Sequence, residues 1–116
     1  MTAPNIVNVT NITAQTAVLA TTSSYANLVT NLSNSSTVVK VNVISIANPS
    51  PSNFTANVDI YRNSTSYPII GNIVVPANST ITVSAKDTSF YLQEGDFVRA
   101  LTSNAATAFA SFEIIS

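Results

Sequence analysis

The chain has 116 residues, of which 46% are apolar and only 8% charged, and its net charge is −1 at pH 7. That length suits one domain with its own core, and a mean hydropathy of +0.32 excludes intrinsic disorder. An ordinary soluble domain carries about 25% charged residues, so Asn, Ser and Thr stand here where charges usually do. The surface this predicts is polar but nearly neutral, and it suits a chain that works packed against copies of itself or a partner.

Taken in order, the chain reads as strand after strand, rich in the β-branched residues that fit a pleated, half-buried surface. Asn5 to Ile12 and Thr16 to Thr22 are the first two expected strands, separated by Asn11-Ile12-Thr13-Ala14. Residues Ser23 to Ser35 are less regular, with Tyr25, Leu28 and Leu32 as anchors. Ser36 to Ala47 is the strongest strand: Val39, Val41 and Val43 alternate with Lys40 and Asn42. The phase then breaks at Val43-Ile44, which predicts a β-bulge or a strand covered on both faces. Asn48 to Asn53 holds two prolines and is a loop. Phe54, Ala56, Val58 and Ile60 alternate with Thr55, Asn57, Asp59 and Tyr61 in a half-buried strand.

Asn63 to Ser66 turns into a strand over Tyr67 to Val75, and Pro76 to Ser79 turns again into Ile81 to Ala85. Lys86 to Ser89 makes the next turn. Phe90 to Gln93 and Asp96 to Ser103 flank Glu94-Gly95-Asp96, where glycine supplies positive φ. Ala105 to Ile115 closes the chain, and its alanines over Ala105 to Phe109 would also tolerate a helical turn. Eight or nine short strands spaced this way predict an all-β, antiparallel β-sandwich, Ig-like or jelly-roll-like, spanning residues 1–116 as a single domain.

Histidine, cysteine and tryptophan are absent from the sequence. This removes the commonest general base, the thiolate nucleophile, disulfides and the usual zinc ligands, so no enzyme, cofactor or metal is expected. Five acids remain: Asp59, Asp87, Glu94, Asp96 and Glu113. Asp87, Glu94 and Asp96 are the oxygen set nearest to a Ca²⁺ site but lack a dense ligand loop, and a solvated hairpin turn is the simpler reading of Glu94 to Asp96. The four cations Lys40, Arg62, Lys86 and Arg99 are scattered, which argues against a nucleic-acid partner. Arg99 alternates with Phe97 and Leu101 and reads as an interface or core-edge arginine pairing with Asp96 or Glu113. The Asn-x-Ser/Thr triplets at Asn8, Asn11, Asn31, Asn34, Asn53, Asn63 and Asn78 follow from composition alone. Tyrosines and phenylalanines on alternating positions favour core packing over a sugar-stacking platform. The opening Met1-Thr2-Ala3-Pro4-Asn5 lacks the basic and apolar regions of a signal peptide. No apolar run is long enough for a membrane span, so cytoplasmic synthesis is expected.

Two blocks carry a resemblance: Val75-Pro76-Ala77-Asn78-Ser79-Thr80-Ile81, and Phe90-Tyr91-Leu92-Gln93-Glu94-Gly95-Asp96-Phe97-Val98-Arg99-Ala100. With the closing Ser111-Phe112-Glu113-Ile114-Ile115-Ser116, they are similar to small virion structural proteins of tailed phages, especially cyanophages. The resemblance implies a capsid decoration or cement protein, localised to the virion, homo-oligomeric and often trimeric, whose partner is the major capsid protein or another virion protein. A tail, neck or fibre subunit is the alternative, and a carbohydrate-binding or adhesion module the alternative from another class. Expected interface residues are Asn5, Val7 and Val9, on an arm or edge strand over residues 1–13, together with Glu94, Asp96 and Arg99.

Overall fold

The computed structural model describes residues 11–85 and 89–116. Among them lie β1 (Ile12–Thr21), β2 (Ala26–Thr30), β3 (Val38–Asn48), β4 (Phe54–Arg62), β5 (Thr65–Val75), β6 (Ser79–Ser84), β7 (Phe90–Leu92), β8 (Phe97–Thr102) and β9 (Ala106–Ile115). They form two antiparallel sheets, one in the order β1-β9-β3-β6 with β7 also on β3, the other in the order β2-β8-β4-β5. The two orders match position by position: β1 with β2, β9 with β8, β3 with β4, β6 with β5. Each matched pair is consecutive in the chain, so at each of these four corners the chain leaves one sheet and enters the other. That is the jelly-roll winding rather than the Ig-like one. β7 and β6 share one edge of β3, pairing with Val39–Val41 and Ile44–Asn48 respectively.

The core lies between the sheets, where alternate residues of each strand meet. Val39, Val41, Ile44 and Ile46 of β3 face Ala56 and Val58 of β4 and Val98 and Ala100 of β8, with Leu92, Val75 and Phe112 among the other buried members. The phase break in β3 is a bulge: pairing with β9 steps from Val41–Phe112 to Val43–Ser111, leaving Asn42 as the extra residue. That residue flips the inward parity from odd to even and keeps both halves of the strand apolar toward the core.

Four expectations are corrected. The turn expected at Asn11 to Ala14 does not exist: β1 runs unbroken from Ile12, because Asn11 and Ser116 exchange both backbone hydrogen bonds at 3.0 and 2.9 Å. The expected strand from Asn5 otherwise falls outside the described residues, as does most of the turn at Lys86 to Ser89. The alanines near Ala105 form no helical turn. Ala106, Ala108 and Ala110 recur every second residue and are buried between β1 and β3 on the inner face of β9, where small side chains fit. Leu32 is 66% exposed and Tyr25 41%, so of the three anchors only Leu28 enters the core. The turn expected over Asn63 to Ser66 tightens to Asn63-Ser64, both with positive φ (51° and 60°), the geometry of a two-residue type I′ hairpin.

Gly95 has φ 87° as its turn requires, and its N–H donates to the Asn31 carbonyl at 2.8 Å. A Cβ there would lie 3.3 Å from Ser33 Oγ. Gly95→Ala therefore costs about 1–2 kcal/mol from left-handed strain alone, read as a lower urea midpoint at unchanged slope.

Candidate assembly surfaces

Two of the five acids, Asp59 and Asp96, are buried. Asp59 sits on β4 at the parity of Asn57 and Tyr61, pointing away from the core, yet it is only 1% exposed. Its cover is Arg99 of β8, directly across the ladder. Arg99 Nε donates to Asp59 Oδ1 at 3.0 Å and Nη2 to Oδ2 at 2.5 Å, the two-pronged fit of a guanidinium on a carboxylate. The Arg99 guanidinium is also clamped between two rings, 4.3 Å from the Tyr25 centroid and 4.0 Å from that of Tyr61. Ser66 Oγ of β5 donates to Asp59 Oδ2. Three strands, β4, β5 and β8, thus converge on one carboxylate, and its hydrogen bond with Arg99 raises the Arg99 pKa further. Arg99 is a core-edge arginine, but its partner is Asp59, not Asp96 or Glu113.

Asp96 is likewise buried at 1%, so the Glu94 to Asp96 turn is not a solvated one. Its carboxylate accepts Arg62 Nε at 2.8 Å, Arg62 Nη2 at 2.6 Å and the Gln93 backbone N–H at 2.8 Å. The first of these contacts raises the Arg62 pKa. Glu94 accepts the Ser36 backbone N–H at 3.1 Å. Of the proposed calcium ligands, Asp96 is committed to Arg62 and Asp87 lies outside the described residues. Among the described residues no three His, Cys, Asp or Glu side chains gather as a metal requires. Asn31 is buried too, donating to the carbonyls of Thr37 and Leu92 at 3.1 and 3.0 Å, which makes it a strut between β2, β3 and β7.

Of the expected interface residues, Asn5, Val7 and Val9 lie outside the described residues. Glu94, Asp96 and Arg99 are brought to the second sheet and its connections, where Asp96 and Arg99 are spent on internal ion pairs. The exposed tyrosines do not form a platform: Tyr25 stacks on Arg99, Tyr67 lies on β5, and Tyr91 lies on β7 of the opposite sheet. A cleft of about 320 Å³ borders Ile60, Arg62 and Tyr67.

The outer face of the first sheet is the surface that sequence reasoning missed. Cross-strand rows run Val18–Phe109–Ser45–Thr82, Ala20–Thr107–Ala47–Thr80 and Thr16–Ser111–Val43. None of these residues carries a charge. Val18 is 66% exposed beside Phe109 at 37%. Charges appear only one row further on, where Glu113 faces Lys40. The alternation of β9 put Phe109 on the wet parity opposite Phe112, which was the legible signal; its neighbour Val18 comes from β1, far away in the chain. The free side of β1 continues this surface at its edge.

No protein-family model matches the sequence, and no curated protein matches it. A solved structure described as "Bacillus endospore appendages form a novel family of disulfide-linked pili" is similar in fold: TM-score 0.53, 14% identity, covering 99% of this chain and 95% of that one. At that identity the likeness concerns the fold.

Proposed function

We propose that this chain is a structural subunit of a larger protein assembly, and specifically a tailed-phage decoration protein that binds and reinforces the assembled capsid shell. The observation that carries the reading is the outer face of the first sheet. It presents three successive cross-strand rows without a charge, and the central one carries an exposed apolar pair, Val18 and Phe109. Exposed apolar area bordered by hydroxyl side chains marks an association surface. The two ion pairs strengthen the case, since they remove four of the chain's nine charged residues from the surface potential. The resemblance of the Val75–Ile81, Phe90–Ala100 and Ser111–Ser116 blocks to phage virion proteins supplies the kind of assembly. The mechanism is linkage: a protein that binds only the closed shell stabilises it by mass action.

A second reading, a subunit of a filament or pilus, is favoured by the fold likeness to the endospore appendage. That assembly is disulfide-linked. This chain has no cysteine, so a filament built from it would be held without such links.

The test is co-sedimentation of the recombinant protein with empty shells of the phage that encodes it, beside light scattering and electron microscopy of the protein alone. The wild type binds shells at saturable stoichiometry. The double variant Val18→Glu, Phe109→Glu loses binding by at least about a hundredfold, through two desolvated charges, while its Tm moves by only a few degrees because both sites face outward. Filaments formed without shells select the second reading. A wild type that neither binds shells nor self-associates overturns both.

A further inference from the structure

The sheet edges differ in how they are protected. An exposed strand edge presents unpaired N–H and C=O groups, and proteins blunt it with short strands, prolines, charges or bulges. β2 has five residues and a register shift between Asn27 and Val29. β5 is long but carries Pro68, two register shifts against β4, and Asn72 at φ 52°. β6 and β7 have six and three residues. β1 has none of these devices. Its ten residues ITAQTAVLAT contain no proline, glycine or charge, and its register with β9 is unbroken from Ile12–Ile115 to Thr21–Ala106.

The ladder tells which groups are unused. Asn11 and Ser116 form a doubly hydrogen-bonded pair, so the odd-numbered residues of β1 bond to β9 throughout the unbroken register. The even-numbered residues Ile12, Ala14, Thr16, Val18 and Ala20 point N–H and C=O to the open side, and no described residue pairs with them there. Their side chains lie on the outer face, next to the Phe109 row.

We infer that β1 is a strand-pairing edge whose occupant is β1 of a second copy of this chain, aligned antiparallel about Thr16. The inference deepens the assembly reading and rests on it. Self-pairing about a two-fold axis sets each residue against one of its own kind or its mirror position, so a charged edge would face like charges. β1 carries none. Centred on Thr16, the pairing sets hydroxyl beside hydroxyl, Ala14 beside Val18 and Ile12 beside Ala20 of the second copy, and satisfies about ten backbone hydrogen bonds. The two first sheets then become one continuous sheet, in which the Thr16–Ser111–Val43 row of each copy runs into that of the other.

Thr16→Pro isolates this contact. The Thr16 amide is not used in the β1–β9 ladder, and proline is tolerated on an edge whose N–H faces outward. The variant removes a donor and places a ring where the second copy must approach. Sedimentation equilibrium should show the wild type in monomer–dimer exchange and Thr16→Pro weakened by at least about a hundredfold. Thr16→Ala, which keeps the amide, should stay within about threefold of the wild type. Amide exchange by NMR adds a residue-level reading. The odd-numbered β1 amides are protected at all concentrations, whereas Ile12, Ala14, Thr16, Val18 and Ala20 gain protection only as the dimer forms. Even-numbered amides that stay unprotected while the protein self-associates or binds shells overturn the β1 inference and leave the assembly reading standing. Absence of both self-association and shell binding overturns both. Equal dimerisation by a folded Thr16→Pro variant overturns the β1 inference alone.

Discussion

Arg99→Ala lowers the unfolding free energy by about 3–5 kcal/mol, because it leaves the Asp59 carboxylate buried without its counter-charge. Asp59 is 1% exposed and sits beneath the Arg99 side chain, itself 19% exposed. Removing the guanidinium also strips the rings of Tyr25 and Tyr61 of the cation between them, exposing apolar area on both. For a domain of this size each kcal/mol is worth several degrees, so Tm should fall by about 10–25 °C. Arg99→Lys recovers only part of the loss, since a single ammonium cannot reproduce the fork on Asp59 or stack flat between two rings. Asp59→Asn with Arg99 intact is milder than Arg99→Ala: the amide still accepts one hydrogen bond, and the stranded arginine can reach water. Thermal melts of the three variants check the order; an Arg99→Ala variant within about 1 kcal/mol of the wild type would show the pair to be ornamental.

Asp96→Ala should cost about 2–3 kcal/mol, and most of it is not the ion pair. The Arg62 side chain is 38% exposed and rehydrates when its partner is lost, which limits the electrostatic part to what exposed pairs are worth. The larger share is the Gln93 backbone N–H, whose hydrogen bond to the buried Asp96 carboxylate closes the turn and is lost with it. The Gly95 turn then loosens, and with it the hydrogen bond to the Asn31 carbonyl. Arg62→Ala leaves the Gln93 contact in place and should cost clearly less than Asp96→Ala. Urea titration of the pair separates the two contributions; equal losses would mean that the ion pair dominates after all.

Neither site could be reached from local pattern. The alternation of Phe54 to Tyr61 correctly assigned Asp59 to the wet parity, and nothing in that strand says that the wet side is covered. What covers it is set by the β4–β8 register, which puts Arg99 opposite Asp59 across 40 residues, and by the corner that lays Tyr25 over the same guanidinium. Glu94-Gly95-Asp96 was legible as a turn from its glycine, but the burial of Asp96 depends on Arg62 arriving from the far end of β4. The exposed Leu32 and the missing turn at Asn11 have the same origin: an isolated apolar residue takes its place from what lies above it, and β1 takes its length from the C-terminal partner Ser116.

What composition and periodicity determined by themselves is the all-β class, most of the strands, the break of phase in the strongest strand and the low content of charge. These follow from side-chain branching and from a two-residue repeat, both local properties of a pleated strand. Tertiary structure alone decided the jelly-roll order over the Ig-like one, the bulge as the cause of the phase break, the inward turn of two of the acids, and the joining of Val18 to Phe109 among rows without charge. Each depends on which distant strands hydrogen-bond and in what register, and that choice is made by the packing of the whole core rather than by any one segment.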